Sequence, residues 1–291
     1  MSLFLNTLGT LFSGGHIKLP EQYRTIVGES VTAKEILEQD PDILDRIEWL
    51  PNQEHIVLAS GGLDSTIAGL QYPTAQPVYI DLGQAYAHHE IKAARTIFPH
   101  LWVIRYDTMY RAYQHIIPMR NAIVLRLAGE LVTQYAWAAK PRIGTITFSC
   151  VEGETPTSGG DKSMDFMDEI GSWRWGPVFK LRTPLVKLSK GAAIRMYLDG
   201  GGDEALLHQT VSCFTPHEGD HCGECRACFR RWIAGQYAGV EFAFATDPLG
   251  SEWPDYYLIR MDRALKTGDF TLYTKHRCEY VTGVLNPYRG M

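Results

Sequence analysis

The pattern of apolar and polar positions changes at residue 55. From there HIVLAS (55–60) reads as a buried strand, followed by a glycine turn and a helix. PVYIDL (77–82), LWVIRY (101–106) and RIGTITFS (142–149) read as three further strands. Between them HHEIKAARTIF (88–98) is helical. NAIVLRLAGELVTQYAWAA (121–139) is a long helix, apolar except for Arg126, Glu130 and Gln134. Those three are spaced four apart and form one polar stripe. Strands alternating with helices predict an α/β fold, a doubly wound parallel sheet covered on both faces. Such sheets bind ligands at the carboxyl ends of their strands, so residues just after strands carry most of the functional expectation.

The first fifty residues read as an extension. Thr32-Ala33-Lys34-Glu35 fits a capping box that opens a helix running to about Gln39 and stopping before Asp40-Pro41. The stretch is acidic (Glu35, Glu38, Asp40, Asp42, Asp45, Glu48) and reads as a solvated helix packed on the main body. The chain then divides into an N-terminal extension (1–53), the α/β domain (54–200), a helical metal-binding segment (201–236) and a C-terminal extension (237–291).

Composition excludes several classes. With 45% apolar and 21% charged residues, the 291-residue chain is neither disordered, collagenous nor a coiled coil. Its apolar runs are short, such as Tyr135 to Ala139, and none spans a bilayer. The opening MSLFLNTLGTLFSGGHIKLP has no Lys or Arg before its apolar part and makes a poor secretory signal. A net charge of -5 disfavours stable nucleic-acid binding. Of six cysteines, four lie between 213 and 228, which suits metal binding in a reducing compartment; the expected location is the cytoplasm.

The strongest local motif is Ser60-Gly61-Gly62-Leu63-Asp64-Ser65-Thr66, after a strand and at the start of a helix. Glycines let the backbone approach a ligand, and their N–H groups can point at anionic oxygens. Ser60, Ser65 and Thr66 add hydroxyls, and the helix N-terminus adds partial positive charge. Asp64 would repel a bare phosphate, so it suits Mg²⁺. The blander alternative is a tight turn with Asp64 or Ser65 as the N-cap. Cys213, Cys222, Cys225 and Cys228, spaced C-x8-C-x2-C-x2-C, can close a tetrahedral zinc site, with Gly223 easing the turn. A 4Fe–4S cluster is the alternative occupant. His217 and His221 are expected to be surface histidines, and Cys150 and Cys278 ordinary buried thiols.

The loop resembles the SGG-x-DS signature of the N-type ATP pyrophosphatases, the PP-loop family. Other segments narrow the resemblance to the 7-cyano-7-deazaguanine synthase family. These are Asp81-Leu82-Gly83-Gln84 with Glu90 and Ala93-Ala94 beyond, Pro118-Met119-Arg120-Asn121, Thr183-Pro184-Leu185 through Ser189-Lys190, Thr210-Val211-Ser212-Cys213, and Cys222 to Arg231. The tyrosine-proline-aspartate-cysteine stretch usual in that family is absent from residues 150–170.

The resemblance implies an ATP-dependent C–N ligase that converts 7-carboxy-7-deazaguanine and ammonia to the nitrile through adenylated acid and amide. It implies ATP, Mg²⁺ and Zn²⁺ as cofactors and a homodimer. Asp64, Lys190 and Arg120 are the candidate catalytic residues. Ser60, Gly61, Gly62, Leu63, Asp64, Ser65, Thr66, Gln84 and Asn121 are the candidate nucleotide contacts. Arg120 has a helix-face salt bridge, and Asn121 a helix cap, as its alternative role. Asp161, Asp165, Asp168, Trp173 and Trp175 are candidates for reading the base. Three alternatives stand beside this reading: a variant that stops at the amide or uses a related deazapurine acid, a tRNA-modifying PP-loop enzyme that adenylates a base for sulfur transfer, and a non-enzymatic zinc-bearing binding module.

Overall fold

The computed structural model describes residues 17–18, 48–49, 55–106, 117, 120–139, 144–152, 179–213 and 221–289. The expected helix from Thr32, with its capping Glu35, lies outside the described residues. So do Pro118, Met119, Asp161, Asp165, Asp168, Trp173, Trp175 and His217. Ahead of the main body, Ile17–Lys18 pairs antiparallel with Glu48–Trp49.

Five strands form one sheet: β1 (His55–Leu58), β2 (Gln76–Asp81), β3 (Trp102–Arg105), β4 (Gly144–Thr147) and β5 (Phe179–Arg182). Their spatial order is β3-β2-β1-β4-β5, and every pair is parallel. The four expected strands are present. β5 was not expected: FKLR is an edge strand that alternates buried and open positions, so it carries no continuous apolar run.

The sheet is covered on both faces because successive side chains point oppositely. Ile56, Leu58, Val78, Ile80 and Ile146 meet Leu125, Ala128, Leu131 and Val132 of the long helix α3 (Arg120–Ala139). Tyr79 and Val103 point the other way, into a cluster with Ala87 and Ala94 of α2 (Ala87–Ile97). α1 (Leu63–Leu70) shares a third cluster with α4 (Lys190–Asp199): Leu63, Ile67 and Ala68 against Ala193 and Ile194. On α3, the expected polar stripe carries an Arg126–Glu130 ion pair at 2.9 Å.

Beyond the sheet the chain is helical. α5 (Glu204–His208) and α6 (Arg226–Ala238) flank the cysteine segment. α7 (Trp253–Thr267) and α8 (Lys275–Leu285) form a hairpin. The C-terminal extension does not stand apart. Phe229, Trp232 and Ile233 of α6 are buried in one core with Tyr257 and Met261 of α7 and Val281 and Leu285 of α8. Cys150 and Cys278 are buried thiols outside any disulfide, as expected. No described helix is long and apolar enough to cross a membrane.

Candidate functional site

The strand order reverses between β1 and β4, and doubly wound sheets open a crevice outside the strand ends at such a point. A cavity of about 140 Å³ lies there. The ends of β1, β2 and β4 line it, together with Ser60, Ser65, Ser149 and the first turn of α3.

The glycine loop makes the turn from β1 into α1. Gly61 has φ +70°, the left-handed region that L side chains avoid. A Cβ there would stand 2.7 Å from the Glu90 carbonyl oxygen and 2.8 Å from the Ala94 nitrogen, so α2 leaves no room for one. The small residues Ala93 and Ala94 allow that approach. The Gly61 carbonyl accepts from Val211 N–H at 2.8 Å, which ties the loop to the chain leading into Cys213. Ser65 Oγ accepts from the Ser60 N–H (3.2 Å) and donates to the Gly62 carbonyl (3.1 Å), while the two hydroxyls lie 3.0 Å apart. Gly62 is the N-cap and offers no side chain; neither Asp64 nor Ser65 takes that place. The first-turn N–H groups of α1 therefore lack a capping side chain. Leu63 is buried in the core and can offer a ligand only its backbone.

Lys190 opens α4 and donates from Nζ to Asp64 Oδ2 at 2.6 Å, with both side chains mostly buried. The other Asp64 oxygen, Oδ1, is buried with no hydrogen-bond partner among the described residues. Thr66 Oγ1 and Ser149 Oγ share that condition. Leaving such groups unsatisfied costs about 1–3 kcal/mol each, more for a charged one. Of the three, Ser149 lines the cavity where β1 and β4 end, and Asp64 and Thr66 lie on the first turn of α1 behind the loop.

Arg120 and Asn121 both line the cavity. Arg120 donates to Glu90 Oε2 at 2.9 Å, the salt bridge that was its alternative role. Burial works against its charge, but Glu90, Tyr86 and Tyr79 outweigh burial and hold its pKa above the ordinary guanidinium value. Glu90 Oε2 also accepts from the Tyr79 hydroxyl at 2.6 Å; burial, then Glu90, raise the pKa of that hydroxyl, so it keeps its proton. Gln84 completes this network from inside the protein. Its Nε2 donates to Tyr79 Oη at 2.5 Å and its Oε1 accepts from Leu82 N–H at 3.0 Å. Both ends of its amide thus serve the protein, and Gln84 is not part of the cavity wall. Tyr79 and Ser149 escape a reading of the sequence alone, because on their strands they look like ordinary sheet residues.

The four cysteines converge. Their sulfurs lie within 4.8 Å of one another and could hold a metal ion. Cys222 and Cys228 Sγ are 3.8 Å apart, the separation that tetrahedral thiolates at about 2.3 Å from zinc require. Backbone N–H groups of Cys222, Cys225 and Cys228 donate to the sulfurs of Cys213, Cys222 and Cys225 at 3.4–3.5 Å. Hydrogen bonds with the Cys213 and Cys228 thiols press the Cys225 pKa below the ordinary thiol value. Gly223, at φ +83°, makes the turn; a Cβ there would collide with the Thr246 carbonyl.

His221 corrects the expectation of a surface histidine. It is half-buried and accepts from Ser212 N–H at 3.0 Å. Burial first, then Arg231, push its pKa down to about 3, so the ring is neutral. Arg231 is buried, donating to Thr210 Oγ1 (2.7 Å) and the Leu207 carbonyl (2.9 Å). Burial brings its pKa down to about 9 against the opposing pull of Cys228.

Fold and site together define a doubly wound α/β protein of the PP-loop class with a four-cysteine centre. The family model described as "Queuosine biosynthesis protein QueC" matches residues 107–238. A 7-cyano-7-deazaguanine synthase of Methanosarcina barkeri is 30% identical over 136 residues, 46% of this chain and 52% of that protein. One from Staphylococcus saprophyticus is 29% identical over 212 residues, 62% of this chain and 91% of that protein. One from Leptospira interrogans is 38% identical over 65 residues, 22% of this chain and 26% of that protein. The match thus spans about half the length of the Methanosarcina relative and about a quarter of the Leptospira one. Over these stretches the chain is similar to the QueC family.

Proposed function

We propose that the protein converts 7-carboxy-7-deazaguanine and ammonia to 7-cyano-7-deazaguanine at the expense of ATP, in two adenylation rounds. The observation that carries this reading is the cavity at the strand ends, lined by Ser60, Ser65, Ser149, Arg120 and Asn121, in a chain that is similar to synthases of that name and pairs Lys190 with Asp64 of the glycine loop.

A carboxylate resists ammonia because oxide leaves poorly. In the first round a substrate carboxylate oxygen attacks the α-phosphorus of ATP and pyrophosphate departs. Ammonia then adds to the acyl carbon, AMP leaves with the C–O electron pair, and the amide remains after loss of a proton. In the second round the amide oxygen is adenylated. The C–O bond then breaks, AMP leaving with that oxygen and its electron pair while the nitrogen gives up its two protons, and the nitrile forms.

The protein's part is positioning and charge neutralisation. The first-turn N–H groups of α1 and the hydroxyls of Ser60, Ser65 and Thr66 hold the pyrophosphate portion. Lys190, a point cation fixed by Asp64, balances its charge. Asp64 Oδ1 is the oxygen that would hold Mg²⁺, which when bound neutralises the leaving pyrophosphate. Arg120, anchored by Glu90, faces the cavity beside Asn121 and neutralises either the α-phosphate or the substrate carboxylate. The four cysteines hold zinc in a structural role. Sulfurs within 4.8 Å of one another suit one central ion. A four-iron cluster puts each sulfur on a different iron and spreads them further. A homodimer and free or partner-delivered ammonia belong to the same reading.

The test is mass spectrometry of a reaction holding 7-carboxy-7-deazaguanine, ammonium and Mg-ATP, run beside Asp64→Ala. Nitrile with AMP, lost in the variant, is expected. Accumulated amide would move the assignment to a variant that stops after the first round, which the missing tyrosine-proline-aspartate-cysteine stretch favours. No AMP at all would overturn the substrate assignment.

A further inference from the structure

Arg231 is among the largest fully buried side chains described, 1% exposed, yet no carboxylate among the described residues pairs with it. Nη1 donates to Thr210 Oγ1 at 2.7 Å and lies 3.4 Å from Ser212 Oγ. Nη2 donates to the Leu207 carbonyl at 2.9 Å, and Nε has no partner among the described residues. The guanidinium lies over the Phe242 ring, 3.9 Å from its centroid. All of these neighbours are neutral. A buried cation without a counter-charge is a costly arrangement, so an opposite charge is to be looked for nearby.

The cysteine centre is where such a charge can form. Arg231 follows Cys228 by three positions on α6, which puts both on one face of that helix. Ser212, which Nη1 approaches, is the neighbour of Cys213. Cys228 is the charge that works against burial to keep Arg231 protonated. Four thiolates around one divalent ion leave about two negative charges in excess. The backbone N–H groups of Cys222, Cys225 and Cys228 meet the sulfurs but carry no net charge. His221 takes the Ser212 N–H on a ring lone pair and so adds no charge on that side. The other two arginines of α6 are turned elsewhere. Arg226 Nε donates to the Tyr257 hydroxyl at 2.8 Å, and Arg230 lines a separate small cavity with Lys190 and Tyr280.

We propose that Arg231 is the counter-charge of the metal–thiolate centre. Its fixed positive charge lets four thiolates share one divalent ion inside the protein, and the loaded centre in turn holds the guanidinium against Thr210 and Leu207. That grip falls on the segment whose Val211 N–H holds the Gly61 carbonyl, so Arg231 is the positioning residue between the metal and the glycine loop. The proposal rests on reading the four cysteines as a zinc site, but not on the identity of the acid that is activated.

The test is the zinc affinity of the full chain, read by competition with a chromophoric chelator, beside thermal melts of the zinc-loaded and zinc-stripped protein. Arg231→Met keeps bulk and removes the charge; it is expected to raise the zinc Kd about tenfold or more. It should lower the Tm of the loaded chain and leave that of the stripped chain unchanged or raised, because neutral thiols give the buried cation no partner. Nor does the change orphan the Leu207 carbonyl, which keeps the Thr210 hydroxyl as a donor. Arg231→Gln, a hydrogen-bond donor without charge, should lose zinc affinity as Arg231→Met does. Arg231→Lys keeps a cation there, so its zinc Kd should stay within about threefold of the wild type. If Arg231→Met does not fold, the contrast between Arg231→Gln and Arg231→Lys decides. A zinc Kd unchanged by loss of the charge overturns the proposal. So do equal falls in both melting temperatures, the mark of a packing role alone, and an equal loss of zinc in Arg231→Lys and Arg231→Gln. A wild-type chain that takes up no zinc sinks the metal reading and this proposal with it, whereas zinc binding that ignores Arg231 sinks the proposal alone.

Discussion

Gly61 shows how much one position can carry. It needs a left-handed backbone, and it needs the absence of a side chain where α2 crosses the loop. Gly61→Ala is expected to cost about 1–2 kcal/mol for the backbone and about 1–3 kcal/mol for the clash, read as a lowered Tm. An unchanged Tm would mean that α2 moves aside freely. His55, at the start of β1, sits 2.8 Å from Thr147 Oγ1. Burial first, then Arg182, hold its pKa below 6.5. The unfolded chain takes up this proton as the pH falls through 6.5, whereas the folded chain resists until lower pH. This group therefore lowers stability progressively as pH drops below 6.5 and adds no pH dependence above it. Denaturant melts of His55→Gln should show a shallower acid slope than the wild type; identical slopes would remove His55 from the account. Some of these residues were legible and others were not. The loop's chemistry follows from its residue types. The burial of Arg231 and of Gln84 does not, because a long polar side chain turns inward only when partners from distant segments meet it.

Between elements, the chief link runs from the cysteine centre to the glycine loop. Cys213 is two residues beyond Val211, whose N–H holds the Gly61 carbonyl. Arg231, on α6, reaches back to Thr210 in the same segment. Emptying the metal site should therefore loosen the loop as well as lower stability. Cys225→Ser is expected to reduce metal content below one ion per chain in elemental analysis. It should also weaken ATP binding by about 1 kcal/mol, five- to tenfold in Kd, the worth of one hydrogen bond. Loss of metal with no change in ATP Kd would uncouple the two sites. Within the described residues, the expected strands and helices of the α/β domain lie within a few residues of their observed bounds, because the alternation of buried strands and amphipathic helices is local. β5 lay beyond that reading, because a short edge strand is recruited by its neighbour β4 and not by its own pattern.

At the scale of the whole molecule, the C-terminal extension is part of the core. α6 buries Phe229, Trp232 and Ile233 against α7 and α8. Uncovering three large side chains costs about 1.5–3 kcal/mol each, which together rivals the net stability of an ordinary domain. A chain ending after Gly239 is therefore expected to lose its cooperative thermal transition and to be cut rapidly within α6 in limited proteolysis. A sharp melt in the shortened chain would show that the hairpin is dispensable.

From its amino-acid order alone the chain determined its α/β class, the glycine loop and its phosphate-suited chemistry, and the four cysteines that could hold a metal ion. Each of these depends on residue type and short spacing, which a linear order preserves. Only the tertiary structure decided that Lys190 meets Asp64 across 126 positions, that Arg120 is anchored by Glu90, and that α8 closes around Lys190. Those contacts join segments far apart along the chain. They exist only once the parallel sheet has brought its strand ends together and the helices have packed over them.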